Sequence, residues 1–465
     1  MPVEFERGSF RDASARVFYH DGEVFRALSA HAADEWTRIE RTRFWQRALA
    51  EGRVVGTTRA PAPAGLDGAW ALVLRHERIP FVSYPYEWSF EMLREATRLQ
   101  LDLLAAALEE DLVLKDGTAY NVQWRGVQPV FVDVLSFAPL APGEPWVGYR
   151  QFCELGLYPL LLEAYRGVAF QPWLRGRIDG IPAEEMRRLL GGRALLKPGV
   201  FSHVHLHALS QRRFESASRS LRTEIAAGGF GKALIQTNVR KLQRLVGRLA
   251  RPATRSAWAG YARAPGYEDH DQAAKQQFVR AALGRGRWGH VWDLGANQGV
   301  YARLAAEVAE YVVAFDADRV VVDAMFIEHR RRGVTNVLPL VVNLADPSPS
   351  QGWNSEERLR LERRGQPDLV LALALVHHLA IGANIPLRAL LDWLATLAPH
   401  LIIEFVTRDD PMVERLLRFK DPRQHADYDL PTFERELTAR FDLLAHQPLA
   451  GGRRLLFFAR SRCHT

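Results

Sequence analysis

The stretch from His290 to Ala317, HVWDLGANQGVYARLAAEVAEYVVAFDA, constrains the fold more than any other. Val291 to Leu294 reads as a buried strand, and Gly295 to Gly299 as a glycine-bearing turn. A helical segment follows, and then a second apolar strand that ends in Asp316. Strand, turn, helix and strand make a βαβ unit, in which Gly295 and Gly299 let the backbone approach a ligand closely. Asp316 stands about twenty residues beyond the turn, the separation expected when one crossover helix intervenes. A carboxylate at that strand end is placed to accept hydrogen bonds from a ribose diol.

These features alone fit either a dinucleotide or S-adenosylmethionine. The turn is not GxGxxG, and Asp293 precedes the first glycine. An acid there suits a cationic ligand and would repel a pyrophosphate. The form D-x-G-A-N-x-G resembles the first motif of class I S-adenosylmethionine-dependent methyltransferases, with Asn297 where many members carry a further glycine. Asn tolerates left-handed backbone angles better than most residues, so the exchange is mild. The resemblance implies a Rossmann-like α/β domain built on a mostly parallel seven-stranded sheet. Asp293, Gly295, Asn297 and Gly299 would then border the cofactor, with its ribose on Asp316.

The chain downstream of the turn continues in the same alternation. Asp271 to Leu283 reads as a helix leading into the unit, with Lys275 and Tyr267 near the ligand mouth. Val320 to Arg332 is a helix, and Val337 to Val342 a third strand running into Asn343. In the methyltransferase fold that strand end faces the adenine, which makes Asn343 the candidate there, with Asp346 behind it. Gln351 to Arg364 is charged and is expected to be a surface helix capped by Ser355. Asp368 to Leu375 is apolar throughout, as a strand buried on both faces should be. It ends at His377 and His378. Open α/β sheets bind ligands at the carboxyl ends of their strands, so either imidazole could take a proton from a methyl acceptor. The alternative is that His377 packs and His378 caps the next helix. Leu401 to Val406 is a fifth strand, Leu430 to Phe441 a helix, and an antiparallel pair closes the chain. The segments ADPSPSQGW, ERLRLERR, LALALVHHLAI and LIIEFV also resemble one methyltransferase subgroup named after a nodulation-associated protein. In that subgroup a little-described N-terminal region precedes the methyltransferase domain.

The N-terminal half reads as α+β. Arg16 to Tyr19 and Val24 to Leu28 flank His-Asp-Gly as a hairpin. A helix is expected from Ala32 to Glu51, then a strand from Ala69 to Leu74. After a crossing rich in Pro and Tyr, Ser89 caps a helix with apolar residues at helical spacing. Next come Asp116, Asn121 and Asp133 around two short strands. Phosphoryl transfer needs a carboxylate to orient a hydroxyl, and an Asn and an Asp to hold magnesium. The order resembles the protein-kinase-like fold, aminoglycoside phosphotransferases in particular, and implies ATP and Mg2+ as ligands. Arg26 occupies the place of the phosphate-binding lysine, and Glu40 would be its partner. No glycine-rich loop is present, and Arg is a poor mimic of a lysine point charge. His203, His205 and His207 alternate, so a strand would set three imidazoles on one face. No acid or cysteine accompanies them, and no metal is assigned.

These readings divide the chain into a kinase-like domain over 1–211, a basic connector over 212–260 and a methyltransferase domain over 261–465. The connector carries the glycine turn at 228–231 and an amphipathic basic helix, Val239 to Leu249. Such a helix is more often a solvated face docked on its own domain than an RNA grip. The 465 residues carry a net charge of +7, which permits an anionic partner without demanding one. The two cysteines are far apart and fit a reducing cytoplasm. The first residues do not resemble a signal peptide, and no apolar run approaches the roughly 20 residues of a membrane span. The expected function is methyl transfer to an O or N atom of a small-molecule or glycan acceptor. The alternatives are a bifunctional protein with an ATP- and Mg2+-dependent phosphotransferase, or an RNA methyltransferase using the connector.

Overall fold

The computed structural model describes residues 2–216, 231–253 and 269–464, so most of the glycine turn at 228–231 and Tyr267 lie outside the described residues. The chain divides into two compact units. The first comprises Met1–Trp124, Pro129–Ala253 and Ser350–Leu359; the second comprises Arg125–Gln128, Thr254–Pro349 and Arg360–Thr465.

The first unit opens with strands β1 (Glu4–Phe5), β2 (Ala15–His20), β3 (Glu23–Leu28), β4 (Thr57–Ala60) and β5 (Leu72–His76). They form one antiparallel sheet in the order β1-β2-β3-β5-β4. Asp21 and Gly22, both at positive φ, make the two-residue turn of the β2–β3 hairpin. The helical pattern after it breaks into two helices, Ala30–Ile39 and Arg43–Ala50. Thr42 makes the break by capping the second, its hydroxyl accepting the Trp45 N–H. Ser89 caps the long helix Phe90–Glu109, whose Leu93, Ala96, Leu103, Leu104 and Leu108 are buried as their spacing requires. Two small pairs follow: β6 (Leu112–Leu114) with β9 (Phe137–Pro139), and β7 (Val122–Arg125) with β8 (Gln128–Phe131). The basic helix Lys232–Arg248 lays Ile235, Val239, Leu242 and Val246 inward and packs along Phe90–Glu109. Gln243 also donates to Asp102 at 2.7 Å.

Two local expectations fail here. His203, His205 and His207 lie not on a strand but on a π-turn, Phe201–His205, that runs into the helix Leu206–Ser216. Tyrosine hydroxyls hold two of the imidazoles: Tyr149 meets His203 at 2.7 Å, and Tyr158 meets His207 at 2.6 Å. Nor is 351–364 a surface helix capped by Ser355. Gly352, Asn354 and Ser355 all take positive φ, which stops a helix, and only the 3-10 turns Trp353–Ser355 and Leu361–Arg363 form.

The second unit is built on strands β10 (Trp288–Leu294), β11 (Ala309–Asp316), β12 (Val337–Val341), β13 (Leu369–Ala372), β14 (His400–Val406), β15 (Phe441–Pro448) and β16 (Arg454–Ser461). Their order is β12-β11-β10-β13-β14-β16-β15. The first five are parallel, and β16 runs antiparallel to both of its neighbours. This is the mostly parallel, hairpin-closed sheet of the class I methyltransferase fold. Strands β10, β11, β13 and β14 are apolar on both faces, and Val291, Val312, Leu371 and Ile402 are fully buried. Strand β13 is shorter than its sequence suggests, because Ala374 turns to φ +51°.

An ion pair sits inside this apolar layer. Glu404, on β14, is fully buried and accepts the Lys275 ammonium at 2.5 Å. Lys275 comes from the helix Asp269–Leu283, and Arg454 on β16 approaches the same carboxylate at 3.5 Å. Burial raises the Glu404 pKa, but the two cations and the Ala374 N–H outweigh it and hold the group ionised. Breaking such a pair from one side strands the other charge in the core, at a cost of about 3–5 kcal/mol. Glu404→Gln is therefore expected to destabilise the second unit by that order in denaturant unfolding. The double variant Lys275→Met, Glu404→Leu should lie closer to wild type, and equal losses would refute the pairing.

Candidate functional site

The turn after β10 is shaped by three residues at positive φ: Gly295 (+78°), Asn297 (+45°) and Gly299 (+69°). A Cβ on Gly299 would meet Met325 Sδ at 2.8 Å, so a side chain there would have to displace Met325. Gly295 and Ala296 donate their N–H groups to Phe315 O, each at 2.9 Å. One residue on, the Asn297 N–H donates to Asp316 Oδ2 at 2.9 Å. The other carboxylate oxygen accepts the Asp318 N–H at 2.8 Å. The carboxylate thus joins the turn to the end of β11. Burial raises its pKa, and the backbone donors oppose that rise.

Asp293 lies beneath the turn, 2% exposed, and its Oδ2 has no hydrogen-bond partner among the described residues. Burial pushes its pKa up to about 7, with Lys275 opposing. Asn297 Oδ1 is also buried without a partner. An orphaned carboxylate and an orphaned carbonyl beside a backbone turn favour a ligand carrying positive charge and N–H donors. S-adenosylmethionine carries a sulfonium and an ammonium, so this pair of acceptors fits it, and the glycine turn leaves the backbone room to approach it.

Asn343 follows β12, whose end is tied to Asp316 through the Val342 N–H at 2.9 Å. The Asn343 side chain is exposed, and its Oδ1 accepts the Ala345 N–H at 3.1 Å. His377 and His378 follow β13 with their rings 4.1 Å apart. His377 is fully buried, and burial drives its pKa well below the ordinary value. His378 is half-buried and lowered to about 4, again chiefly by burial. Both rings are neutral near pH 7, and their weak basicity suits them to accepting a hydrogen bond more than to removing a proton. Lys275, placed at the ligand mouth from sequence, is instead buried against Glu404. Sequence reasoning assigned no role to the Lys275–Glu404–Arg454 group, although a lone Glu inside LIIEFV signalled that a buried partner was needed.

In the first unit Arg26, Asp116, Asn121 and Asp133 come together, and Glu40 does not. Glu40 follows the helix Ala30–Ile39 and pairs with Arg59 on β4. Arg26 instead holds Asp133 Oδ1 at 2.5 Å. The Ser136 hydroxyl donates to Asp133 Oδ2 at 2.5 Å and accepts from Asn121 at 3.0 Å. Asp116 hydrogen-bonds Asn121, and its pKa is raised by burial and then by Asp133. Burial pushes Asp133 upward as well, but Arg26 and Ser136 outweigh it and leave its pKa lowered. The guanidinium neutralises the carboxylate that would have to hold Mg2+, so the cluster does not fit a metal–ATP complex.

No family model matches this chain. It is 34% identical over 464 residues to nodulation protein NoeA of Rhizobium meliloti (strain 1021), a match spanning 98% of this chain and 96% of that protein. The chain belongs to the NoeA family. Part of this NoeA-family chain also overlaps solved structures. N-methyltransferase NodS from Bradyrhizobium japonicum WM9, in complex with S-adenosyl-L-homocysteine, is 12% identical with a TM-score of 0.32, over 44% of this chain and 98% of that one. A SAM dependent methyltransferase from Aquifex aeolicus is 17% identical with a TM-score of 0.28, over 42% and 98%. WbdD is 17% identical with a TM-score of 0.30, over 47% and 46%. Likeness at these scores carries no argument; the strand order and the turn of the NoeA-family chain stand on their own.

Two outcomes are expected. A buried acid whose pKa rises on folding binds more protons in the folded state, so stability falls as pH climbs from about 4 to 7. Asp293→Asn removes that penalty. Its melting temperature should exceed wild type at pH 8 and converge with it near pH 4; a lower melting temperature at pH 8 would contradict the raised pKa of this buried carboxylate. In the first unit, wild type should bind neither Mn2+ nor Mg-ATP by electron paramagnetic resonance and calorimetry. Arg26→Ala should gain Mn2+ binding that Asp133→Ala removes, and Mg-ATP binding to wild type would refute the internal neutralisation.

Proposed function

We propose that this chain is an S-adenosylmethionine-dependent methyltransferase. The observation that carries the proposal is the buried Asp293 carboxylate under a glycine turn, with Asp316 joining that turn to the next strand. The cofactor would supply an electrophilic methyl group, and the chain's own residues bind, orient and screen it. Asp293, ionised, would face the cofactor's positive charge. Asp316 keeps further lone pairs for a ribose diol beyond those used by the Asn297 and Asp318 N–H groups. Asn297 Oδ1 has an unused lone pair toward the same space. Asn343 at the end of β12 is the candidate nearest the adenine, provided that its side chain leaves its bond to Ala345.

Methyl transfer is an in-line displacement, so holding donor and acceptor in line accounts for most of the rate. His378, neutral and half-buried close to the end of β13, would orient an acceptor hydroxyl or amine and accept its hydrogen bond, with the buried ring of His377 4.1 Å from it. The acceptor is an O or N nucleophile on a small molecule. A kinase-like first unit is supported by the convergence of Arg26, Asp116, Asn121 and Asp133, but the Arg26–Asp133 pair argues against present-day phosphoryl transfer. RNA as acceptor has less support, because the apolar side of the basic helix is taken up by Phe90–Glu109.

Calorimetry with S-adenosylmethionine, S-adenosylhomocysteine, NAD and ATP tests the reading. The two sulfur nucleosides should bind. Asp316→Ala should weaken both by at least tenfold, a loss of 1.4 kcal/mol. Binding of NAD with neither sulfur compound would overturn it.

A further inference from the structure

The carboxyl edge of the second unit's sheet has two halves. Asp293, Asp316 and Asn343 belong to the β10, β11 and β12 side. On the other side, the segments that leave β13 and β14 line a half-open cavity of about 320 Å3. Ala380, Asn384 and Ile385 line it from the first segment, and His425, Asp427 and Tyr428 from the second. We propose that this cavity binds an uncharged, hydroxyl-bearing ring, and that His425 sets the choice. The cavity's existence is a property of the chain itself; the identity of its occupant as methyl acceptor rests on the reading above.

The wall is built to hold its shape. The Tyr428 hydroxyl donates to the carbonyl of Val406, the last residue of β14, at 2.7 Å. Arg408 donates to His425 O at 2.6 Å. Lys420 crosses between the two segments, donating to Ile381 O at 2.7 Å and Asn384 Oδ1 at 2.8 Å. Its ammonium donors are taken up by neutral oxygens, and the exposed Asp427 carboxylate offsets part of its charge.

His425 is 5% exposed, and its Nε2 is buried without a partner among the described residues. Burial lowers its pKa, so the ring is neutral and offers one donor and one acceptor. A hydroxyl, itself both donor and acceptor, is the complementary group. Ala380 and Ile385 offer an apolar surface across from it. The volume lies at the small end of ligand sites, about 300–1,000 Å3, enough for one ring and its substituents. Such a mixture of aliphatic wall and neutral hydrogen-bonding groups matches a saccharide unit, with its apolar ring face and its hydroxyl rim.

Ligand-observed saturation-transfer NMR on the full chain tests this with glucose, glucose 6-phosphate and choline as probes. Glucose should receive saturation, and the anion and the cation several-fold less. Ala380→Phe, which fills the cavity, should abolish the glucose signal. His425→Leu should reduce it several-fold, and His425→Gln, which keeps a donor and an acceptor, should restore part of it. Absence of a glucose signal in wild type, preference for the phosphate, or signals unchanged in Ala380→Phe would overturn the proposal. Calorimetry of S-adenosylmethionine on the same samples separates the two readings. Lost cofactor binding in wild type condemns the methyltransferase assignment, whereas unchanged cofactor binding without a glucose response condemns the cavity alone.

Discussion

The second unit depends on a short clasp between a turn and a strand end. Gly295 and Ala296 both donate to Phe315 O, and Asn297 donates to Asp316. Three consecutive backbone N–H groups are thereby spent on the end of β11. The chain can make that bend only because Gly295, Asn297 and Gly299 accept positive φ. The clasp fixes where the helix Val300–Ala306 begins and leaves the Asp293 carboxylate buried below the bend, its Oδ2 without a hydrogen-bond partner among the described residues. A buried carboxylate oxygen without a hydrogen bond is costly, and a cationic ligand that supplied one would recover that cost on binding.

Lys275 belongs to the same electrostatic arrangement. It forms an ion pair with Glu404 while lowering the pKa that burial gives Asp293. One ammonium therefore serves a structural pair and tunes a second carboxylate close to neutrality. Arg454 bonds both Glu404 and Asp410, so it ties β16 to the exit of β14. The antiparallel closing hairpin is thus joined to the parallel sheet by charge as well as by strand pairing.

Much of this was legible in the residues. The βαβ unit showed through because its strands are apolar on both faces and its turn residues are glycines. The hairpin at Asp21–Gly22 and the cap at Ser89 are local signals, and both survive in the fold. Most of the failures share a cause, which is that distant partners decided the outcome. His203 and His207 alternate like strand residues, yet tyrosines from Tyr149–Arg166 take their ring nitrogens and the backbone is helical. Glu40 had the correct distance in sequence to meet Arg26, but Arg59 on β4 and Asp133 after β8 were the nearer partners. The exception is 351–364, where charge and a Ser355 cap suggested a helix and the backbone instead takes positive φ at Asn354 and Ser355. Glu404 was visible as an oddity in an apolar strand; which cation met it was not, because Lys275 lies over a hundred residues away. The cavity walls carry no motif, since their residues matter by where two strand exits bring them.

The central claim is that the clasp between the turn after β10 and the end of β11 is where a methyl-donating nucleoside sits. Hydrogen-exchange mass spectrometry with and without S-adenosylhomocysteine tests it directly. Protection should concentrate in peptides covering 293–299 and 314–318, with little change in the first unit's strands β1 to β5. Protection confined to the first unit, or spread evenly over the chain, would contradict it.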